Sequence, residues 1–189
     1  MDTCKFTSGK TLPNIKLPFV GGGHLTLGVP QGDNDWQMIV VYRGQFCPIC
    51  KGYLKSLEEM KNKFYELNVD IVVVSADSKG SATKFKEENQ LTFPVAHDLH
   101  LEQMKELGLY ISSPRSIKES DHPFSEPALF VVNKERKVQV IDISNAPFTR
   151  PDLNSLVSGL AYIRNPKVNY PIRGTFVKSL TDEEYECLY

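Results

Sequence analysis

The residues with the clearest chemical potential are Cys47 and Cys50, which form a Cys-Pro-Ile-Cys motif. A thiolate is the reactive form of cysteine, and the N-terminus of a helix stabilises it with free N–H groups and a partial positive charge. The spacing lets one sulfur reach the other, so the pair can attack an oxidised substrate and release it by forming a disulfide. Pro48 lacks an N–H and suits an early helical position, which stiffens the turn. The motif therefore predicts dithiol–disulfide redox chemistry.

The same motif also allows half of a zinc site, or an inert buried pair. A zinc site needs a second pair of ligands, but Cys4 and Cys187 lie singly near opposite ends of the chain. His97, His100 and His122 do not have the spacing of a ligand pair. The pattern favours redox chemistry, which implies neither a metal nor an organic cofactor.

The elements around the motif follow from its hydrophobic patterning. Residues 37–42 are a short apolar run rich in β-branched residues, typical of a buried strand, and lead into the motif. Beyond it, Leu54, Leu57 and Phe64 recur at helical spacing. A strand-to-helix junction is the context in which Cys-x-x-Cys indicates a redox site.

The rest of the chain predicts the order β-α-β-α-β-α-β-β-α after an N-terminal hairpin or irregular arm. We expect strands at 70–75, 92–96, 128–133 and 137–143, helices at 78–90, 101–107 and after 150–152, and a loop at 110–127. Right-handed crossovers make the early strands parallel, and the last hairpin adds an antiparallel edge. The expected fold is α/β, a mixed central sheet with helices on both faces. Residues 1–164 are expected to form one domain and 165–189 a C-terminal extension.

Composition excludes several classes of function. The chain has 189 residues and a net charge of −1, so no field of one sign attracts nucleic acid or an anionic membrane. No apolar run approaches the roughly 20 residues of a membrane span, and residues 1–10 lack the apolar core of a signal peptide. Four cysteines suit a reducing compartment, so we expect a cytoplasmic protein.

Around the motif, VYRGQFCPICKGYLKSL resembles the Arg-Gly-x-x-Cys-Pro-x-Cys box of peroxiredoxin-like proteins of the AhpC/TSA type, within the thioredoxin-fold superfamily. The resemblance runs from about Thr11 to Ile163 and includes DIVVVSADS, TFPVAHD and EPALFVVNKERKV. It implies a thioredoxin-like fold and a thiol-dependent oxidoreductase that reduces peroxides or protein disulfides. It also implies an external thiol reductant, thioredoxin- or glutathione-like, and a possible homodimer.

The chain departs from the family pattern at the residues that polarise the peroxide. Alignment on Phe46 places Cys47 where the family has Thr or Ser, Cys50 at the peroxidatic cysteine and Arg43 at the motif proline. A second family arginine normally lies just before the later strand, at or beside the place of Pro127. The resemblance therefore implies a thioredoxin-like dithiol in a peroxiredoxin-like body, with weak peroxidase activity.

Resemblance to thioredoxins and resemblance to peroxiredoxins imply different roles for the two cysteines. If the site works as in thioredoxins, Cys47 is the exposed nucleophile and Cys50 is the resolving cysteine. If it works as in peroxiredoxins, Cys50 attacks a peroxide and Cys47 resolves the sulfenic acid that forms on Cys50. We favour Cys47 as the attacker of protein disulfides, because sulfur at a helix N-terminus has the better access. Its pKa should then lie below the value of about 8.5 for free cysteine. Cys187 is either a distant resolving thiol or a tail thiol.

Four residues outside the motif could support the site. Arg43 could lower the thiol pKa or bind a substrate anion, and Arg150 could reach the active-site face; the alternative for each is a surface role. Pro127 is expected to be cis and to place backbone groups for pairing with a substrate strand. Glu126 could then touch the substrate, or lie in a solvated loop. A different class of function, a redox-sensing or protein-interaction module without turnover, also fits the pattern.

Overall fold

The computed structural model describes residues 5–175 and has the expected order of elements. The elements are β1 Lys16–Pro18, β2 His24–Thr26, β3 Trp36–Val41, α1 Pro48–Tyr65, β4 Val69–Val74, α2 Lys79–Glu88, β5 Val95–Ala96, α3 Leu101–Glu106, β6 Ile111–Ser112, β7 Phe124–Ser125, β8 Ala128–Val132, β9 Val138–Ile143 and α4 Leu153–Arg164. Cys4 and Cys187 lie outside the described residues, so the expected role of Cys187 stays a prediction.

The central sheet has the strand order β5-β4-β3-β8-β9. Strand β4 runs parallel to both β3 and β5, whereas β8 runs antiparallel to β3 and β9. This confirms the expected mixed sheet, with the β8–β9 hairpin at one edge. Because β3 and β4 are parallel, the chain leaves both at the same end of the sheet, and the Cys-x-x-Cys motif follows β3 there.

Two hydrophobic clusters cover the two faces of the sheet. Alternation along β3 sends Met38 and Val40 to the cluster that includes residues of α1, α2 and α4. Ile39 and Val41 face the other cluster, which includes the N-terminal hairpin and α3. The expectation of helices on both faces is therefore confirmed. Helix α1, which begins at the motif, is held against the sheet by its buried residues Leu54, Leu57 and Phe64.

Several local features differ from the sequence expectation. The strand expected at 92–96 is limited to Val95–Ala96, since Pro94 cannot donate a ladder hydrogen bond. The expected loop at 110–127 contains a short antiparallel ribbon of β6 and β7. In the described part of the extension, the carbonyl of Arg173 accepts a hydrogen bond from Ser8 Oγ at 2.6 Å. No helix within 5–175 has the length and apolar character to cross a membrane.

Candidate active site

The motif forms the start of α1, as its pattern predicts. Cys47 is the N-cap residue, with extended backbone angles, and Pro48 is the first helical residue. The Cys47 Sγ accepts a hydrogen bond from the Cys50 N–H at 3.3 Å. The Cys47 N–H in turn donates to the Gly44 carbonyl at 3.1 Å, which closes the turn that follows β3. The Cys47 sulfur therefore lies where the N-terminus of α1 stabilises negative charge.

Cys47 and Cys50 are joined as a disulfide, with their Cα atoms 5.3 Å apart. The expectation of an exposed Cys47 sulfur is wrong for this oxidised form, because Cys47 is 1% exposed and Cys50 is fully buried. The N-cap hydrogen bond turns the Cys47 sulfur towards the helix, and the exposed residues of the motif are Pro48 and Ile49. Access alone therefore does not distinguish the two sulfurs.

Arg150 reaches the disulfide from the segment before α4. Its Nη2 lies 3.2 Å from the Cys50 Sγ, and its Nη1 donates to the Pro147 carbonyl at 3.2 Å. The guanidinium lies over the ring of Tyr53, 5.1 Å from the centroid. Tyr53 is fixed by its own hydroxyl, which donates to the Pro151 carbonyl at 3.1 Å. The structure thus places Arg150 on the active-site face, which is the first of the two alternatives that the sequence left open, and not in a surface role.

The charge of Arg150 is partly compensated by its surroundings. Burial is the main cause that lowers the pKa of its guanidinium, and the nearby Arg43 also lowers it, whereas Tyr53, Glu126 and Asp142 raise it; the net pKa is about 10. The guanidinium therefore stays protonated at neutral pH. An adjacent positive charge favours the ionised form of a thiol, so the thiolate of a reduced Cys50 is stabilised here.

Arg43 lies in the same region but faces carboxylates. Its Nε is 3.1 Å from Glu126 Oε2, and its Nη2 is 3.7 Å from Glu119 Oε1. The guanidinium also lies over the rings of Phe124 and Phe46, at 4.8 and 5.3 Å from their centroids. Within 5–175 it donates no hydrogen bond to either cysteine sulfur. Arg43 is therefore placed to support the Phe46 side of the turn, and its effect on the thiol pKa stays a prediction.

Glu126 and Pro127 differ from their sequence expectations. Glu126 is 6% exposed and accepts a hydrogen bond from Ser112 Oγ at 2.7 Å, so a solvated loop is wrong for this residue. The expected cis-proline is also wrong, since no peptide bond within 5–175 is cis. The Pro127 carbonyl accepts from the Ser144 N–H at 2.9 Å, which joins the chain to the β8–β9 hairpin in the trans form.

Two clefts border the turn before α1 and the first residues of that helix. One, of about 510 Å³, is lined by Arg150, Tyr53 and the exposed apolar side chains of Ile49 and Phe148. The other, of about 580 Å³, is more polar and includes Phe46 among its lining residues. Residues next to the motif line both clefts, and neither cysteine lines either of them in this disulfide form. No group of three or more His, Cys, Asp or Glu within the described range is arranged to hold a metal ion.

Comparison with known families agrees with this geometry. Residues 8–141 match the model of the AhpC/TSA family. The chain belongs to the AhpC/TSA family.

Individual relatives within and near this family are distant. The chain is 27% identical over 138 residues to the thiol-disulfide oxidoreductase ResA of Bacillus cereus, covering 72% of this chain and 70% of that protein. A peroxiredoxin-like protein from Aquifex aeolicus has a similar fold, with a TM-score of 0.68 and 21% identity over 83% of this chain and 87% of the other. Peroxidoxin BcpB from Mycobacterium tuberculosis has a TM-score of 0.69 and 19% identity over 84% and 98%. These structures confirm the thioredoxin-like, peroxiredoxin-like fold.

For this member of the AhpC/TSA family, sequence reasoning missed Asp77 and Tyr53. The Asp77 Oδ2 accepts the N–H of Gln45, inside the turn that carries Cys47, at 2.9 Å. A polar residue three positions after a buried parallel strand, at the same end of the sheet as the motif, is the signal that could have found Asp77. Tyr53 lies one helical turn after Cys50 and so shares its face of α1.

Proposed function

We propose that the protein is a peroxiredoxin-like thiol–disulfide oxidoreductase that cycles Cys47 and Cys50 between dithiol and disulfide. The observation that carries the proposal is the disulfide at the start of α1 with the Arg150 guanidinium 3.2 Å from the Cys50 sulfur. Membership of the AhpC/TSA family supports it. The substrates are hydroperoxides or protein disulfides, and the electrons come from an external thiol.

In the oxidative half of the cycle, Cys50 attacks the hydroperoxide. Its thiolate sulfur takes one peroxide oxygen, the O–O bond breaks, and the leaving alkoxide or hydroxide takes up a proton to become an alcohol or water. The resulting Cys50 sulfenic acid then reacts with the Cys47 thiol, forming the disulfide and releasing water. The guanidinium of Arg150 supports this step because it stabilises the Cys50 thiolate and negative charge on the departing oxygen.

In the reductive half, an external thiolate attacks the Cys47 sulfur. A mixed disulfide forms on Cys47 and Cys50 leaves as a thiolate, and a second thiol then releases the external disulfide and restores the dithiol. Exchange is faster when the leaving thiolate is stabilised, and Arg150 lies beside the leaving sulfur. The reverse of this exchange, in which Cys47 attacks a protein disulfide, is the route by which the protein would act as a disulfide reductase.

Single cysteine variants test these roles. We expect Cys47→Ser to form a sulfenic acid at Cys50 when treated with hydrogen peroxide, detected by trapping with dimedone and peptide mass. Cys50→Ser should instead form a mixed disulfide at Cys47 with an oxidised thiol probe. The wild-type protein should turn over peroxide or insulin with dithiothreitol as reductant. A wild-type protein that forms the disulfide but turns over neither would favour a redox-sensing module instead.

The partners and setting are part of the same proposal. We infer a thioredoxin- or glutathione-like reductant, a cytoplasmic location, and a homodimer as a possible assembly, with no nucleic-acid or membrane partner. The near-balanced charge and the small number of cysteines support this. Residues 1–164 are proposed as the catalytic domain and 165–189 as its extension. Size-exclusion chromatography with light scattering tests the assembly, and a chain truncated after Arg164 that keeps its turnover would support the division.

A further inference from the structure

Asp77 connects the strand β4 to the turn that carries Cys47. Its side chain is 6% exposed, although it lies in the loop between β4 and α2. Its Oδ2 accepts hydrogen bonds from the Gln45 N–H at 2.9 Å and from the Ser75 hydroxyl at 3.0 Å. The Asp77 N–H donates back to Ser75 Oγ at 3.2 Å. The carboxylate is thus held on its own loop and directed at the backbone of a different element.

The turn is shaped to receive this carboxylate at Gly44. Gly44 has a φ of +149°, and a Cβ there would lie 2.8 Å from Asp77 Oδ1 and 2.8 Å from the ring of Phe46. Only glycine leaves room for so close an approach of carboxylate and backbone. The next link is the Gly44 carbonyl, which accepts the Cys47 N–H at 3.1 Å. The contacts therefore run without a break from Asp77 to the reactive turn.

We propose that Asp77 is a positioning residue that holds the turn of residues 44–47 and thereby sets where the Cys47 sulfur lies at the start of α1. This inference rests on the proposed function of the dithiol. Asp77 acts through Gln45 and Gly44 rather than on the sulfur itself. When the turn is released, the Cys47 sulfur loses its fixed alignment with the Cys50 N–H, and its thiolate loses part of the stabilisation supplied by the helix N-terminus.

The chain offers a matched control at the other end of the same strand. Asp70, in β4, is also buried, and its Oδ2 accepts the Gln31 N–H at 3.0 Å and the Gln37 Nε2 at 3.0 Å. Both residues are therefore buried carboxylates that hold a loop N–H. The rise of about 3.3 Å per residue places Asp70 roughly 13 Å along β4 from its last residue, Val74, and Asp77 lies beyond that end, in the loop to α2. A purely structural role would give the two sites similar behaviour.

The test compares Asp77→Ala, Asp77→Asn and Asp70→Ala in the reduced protein. The measurements are the pH profile of Cys47 alkylation by iodoacetamide, read by peptide mass, and the reduction potential of the disulfide in a glutathione buffer. We expect Asp77→Ala to move the inflection to higher pH and to slow alkylation at neutral pH about three- to tenfold, the effect of one ordinary intramolecular hydrogen bond, because Asp77 acts on the sulfur only through the backbone of the turn. Asp77→Asn keeps an acceptor oxygen and should stay close to wild type.

Asp70→Ala should lower the urea midpoint of unfolding and leave the alkylation profile unchanged. An unchanged profile in Asp77→Ala, or an equal change in Asp70→Ala, would overturn the proposal. Where Asp77→Ala does not fold, Asp77→Ser, whose hydroxyl is too short to reach Gln45, takes its place with the same expected shift. Alkylation of Cys47 does not require catalytic turnover. A wild-type protein that is inactive towards peroxide and insulin would therefore refute the proposed function, but the alkylation comparison would still test the role of Asp77.

Discussion

The two ends of the central sheet differ in how many of their buried polar atoms have hydrogen-bond partners. At the end where β3 begins, Gln37 Oε1 accepts the Gly28 N–H at 2.7 Å and its Nε2 donates to Asp70 at 3.0 Å. At the dithiol end, four buried side-chain atoms lack a hydrogen-bond partner within the described residues: Tyr42 Oη, Arg43 Nε, Glu126 Oε2 and Arg150 Nε. At the end where β3 begins there is one such atom among residues 5–175, Arg136 Nε, in the turn between β8 and β9.

This difference separates a stabilising network from a reactive one. A buried polar atom without a hydrogen bond costs about 1–3 kcal/mol, so such atoms are rare unless they serve another purpose. Arg43 Nε and Glu126 Oε2 lie 3.1 Å apart and attract each other as charges without the alignment of a hydrogen bond. Arg150 Nε thus remains an unused donor on the side chain that contacts Cys50, whereas Gln37 and Asp70 use their hydrogen-bonding groups to join β3, β4 and the preceding loop.

The largest expected effect is that of replacing Arg150 on the rate of the peroxide reaction, with Arg164 at the other end of α4 as the control. Arg164 is a second partly buried guanidinium, 2.6 Å from Asp35 and over the ring of Trp36. Loss of a hydrogen bond to a charged group corresponds to a rate about 10- to 150-fold lower, so Arg150→Met should slow the reaction of Cys50 with hydrogen peroxide by that factor. Stopped-flow kinetics should show no such loss in Arg164→Met. Equal rates in Arg150→Met and wild type would remove Arg150 from the mechanism.

The next largest effect is the loss of stability when a glycine at either end of the sheet is replaced by alanine. Gly44 at the dithiol end has φ +149° and no room for a Cβ, whereas Gly32 near the opposite end has φ +61° and open space around it. We expect Gly32→Ala to cost about 1 kcal/mol from backbone strain alone, and Gly44→Ala to cost about 3 kcal/mol because a steric clash adds to the strain. Urea unfolding at constant pH measures both. A smaller loss for Gly44→Ala would contradict the packing of the turn against Asp77.

The ion pair between Arg43 and Glu126 should show coupling. Their side chains are only 18% and 8% exposed, so removal of one partner leaves the other charge nearly buried. Arg43→Met should therefore lower the free energy of unfolding by about 1–3 kcal/mol. The double variant Arg43→Met/Glu126→Gln should recover part of this loss, since it removes both charges. Strictly additive losses in a double-mutant cycle would show that the pair is not coupled.

The smallest effect is the pH dependence contributed by Asp70. Burial raises the pKa of this carboxyl above its ordinary value of 3.8, so protonation favours the folded state. The contribution is fully present below the unfolded pKa and is lost as pH rises through the raised folded pKa. On acidification from about pH 7 to about pH 3, wild type should gain stability relative to Asp70→Asn. Parallel stability curves from urea titrations would show that Asp70 titrates normally.

Much of the fold could be predicted because its signals are local. The β-branched run of β3, the helical spacing in α1 and the turn between β8 and β9 each indicate their element within a few residues. The strand-to-helix junction then fixes the motif at a helix N-terminus. The ribbon of β6 and β7 could not be predicted, because strands of two residues each have no periodicity to recognise.

What the sequence by itself determined is the reactive pair, its place after a buried strand, and the family resemblance that covers most of the chain. The tertiary structure alone decided what surrounds that pair. Arg150 is 100 residues from Cys50 in the sequence and Asp77 is 32 residues from Gln45, so their contacts depend on how α4 packs against the sheet and how β4 pairs with β3. Burial of Cys47 follows from the same packing. Local pattern specifies which residues can react, whereas long-range packing sets their charge and access.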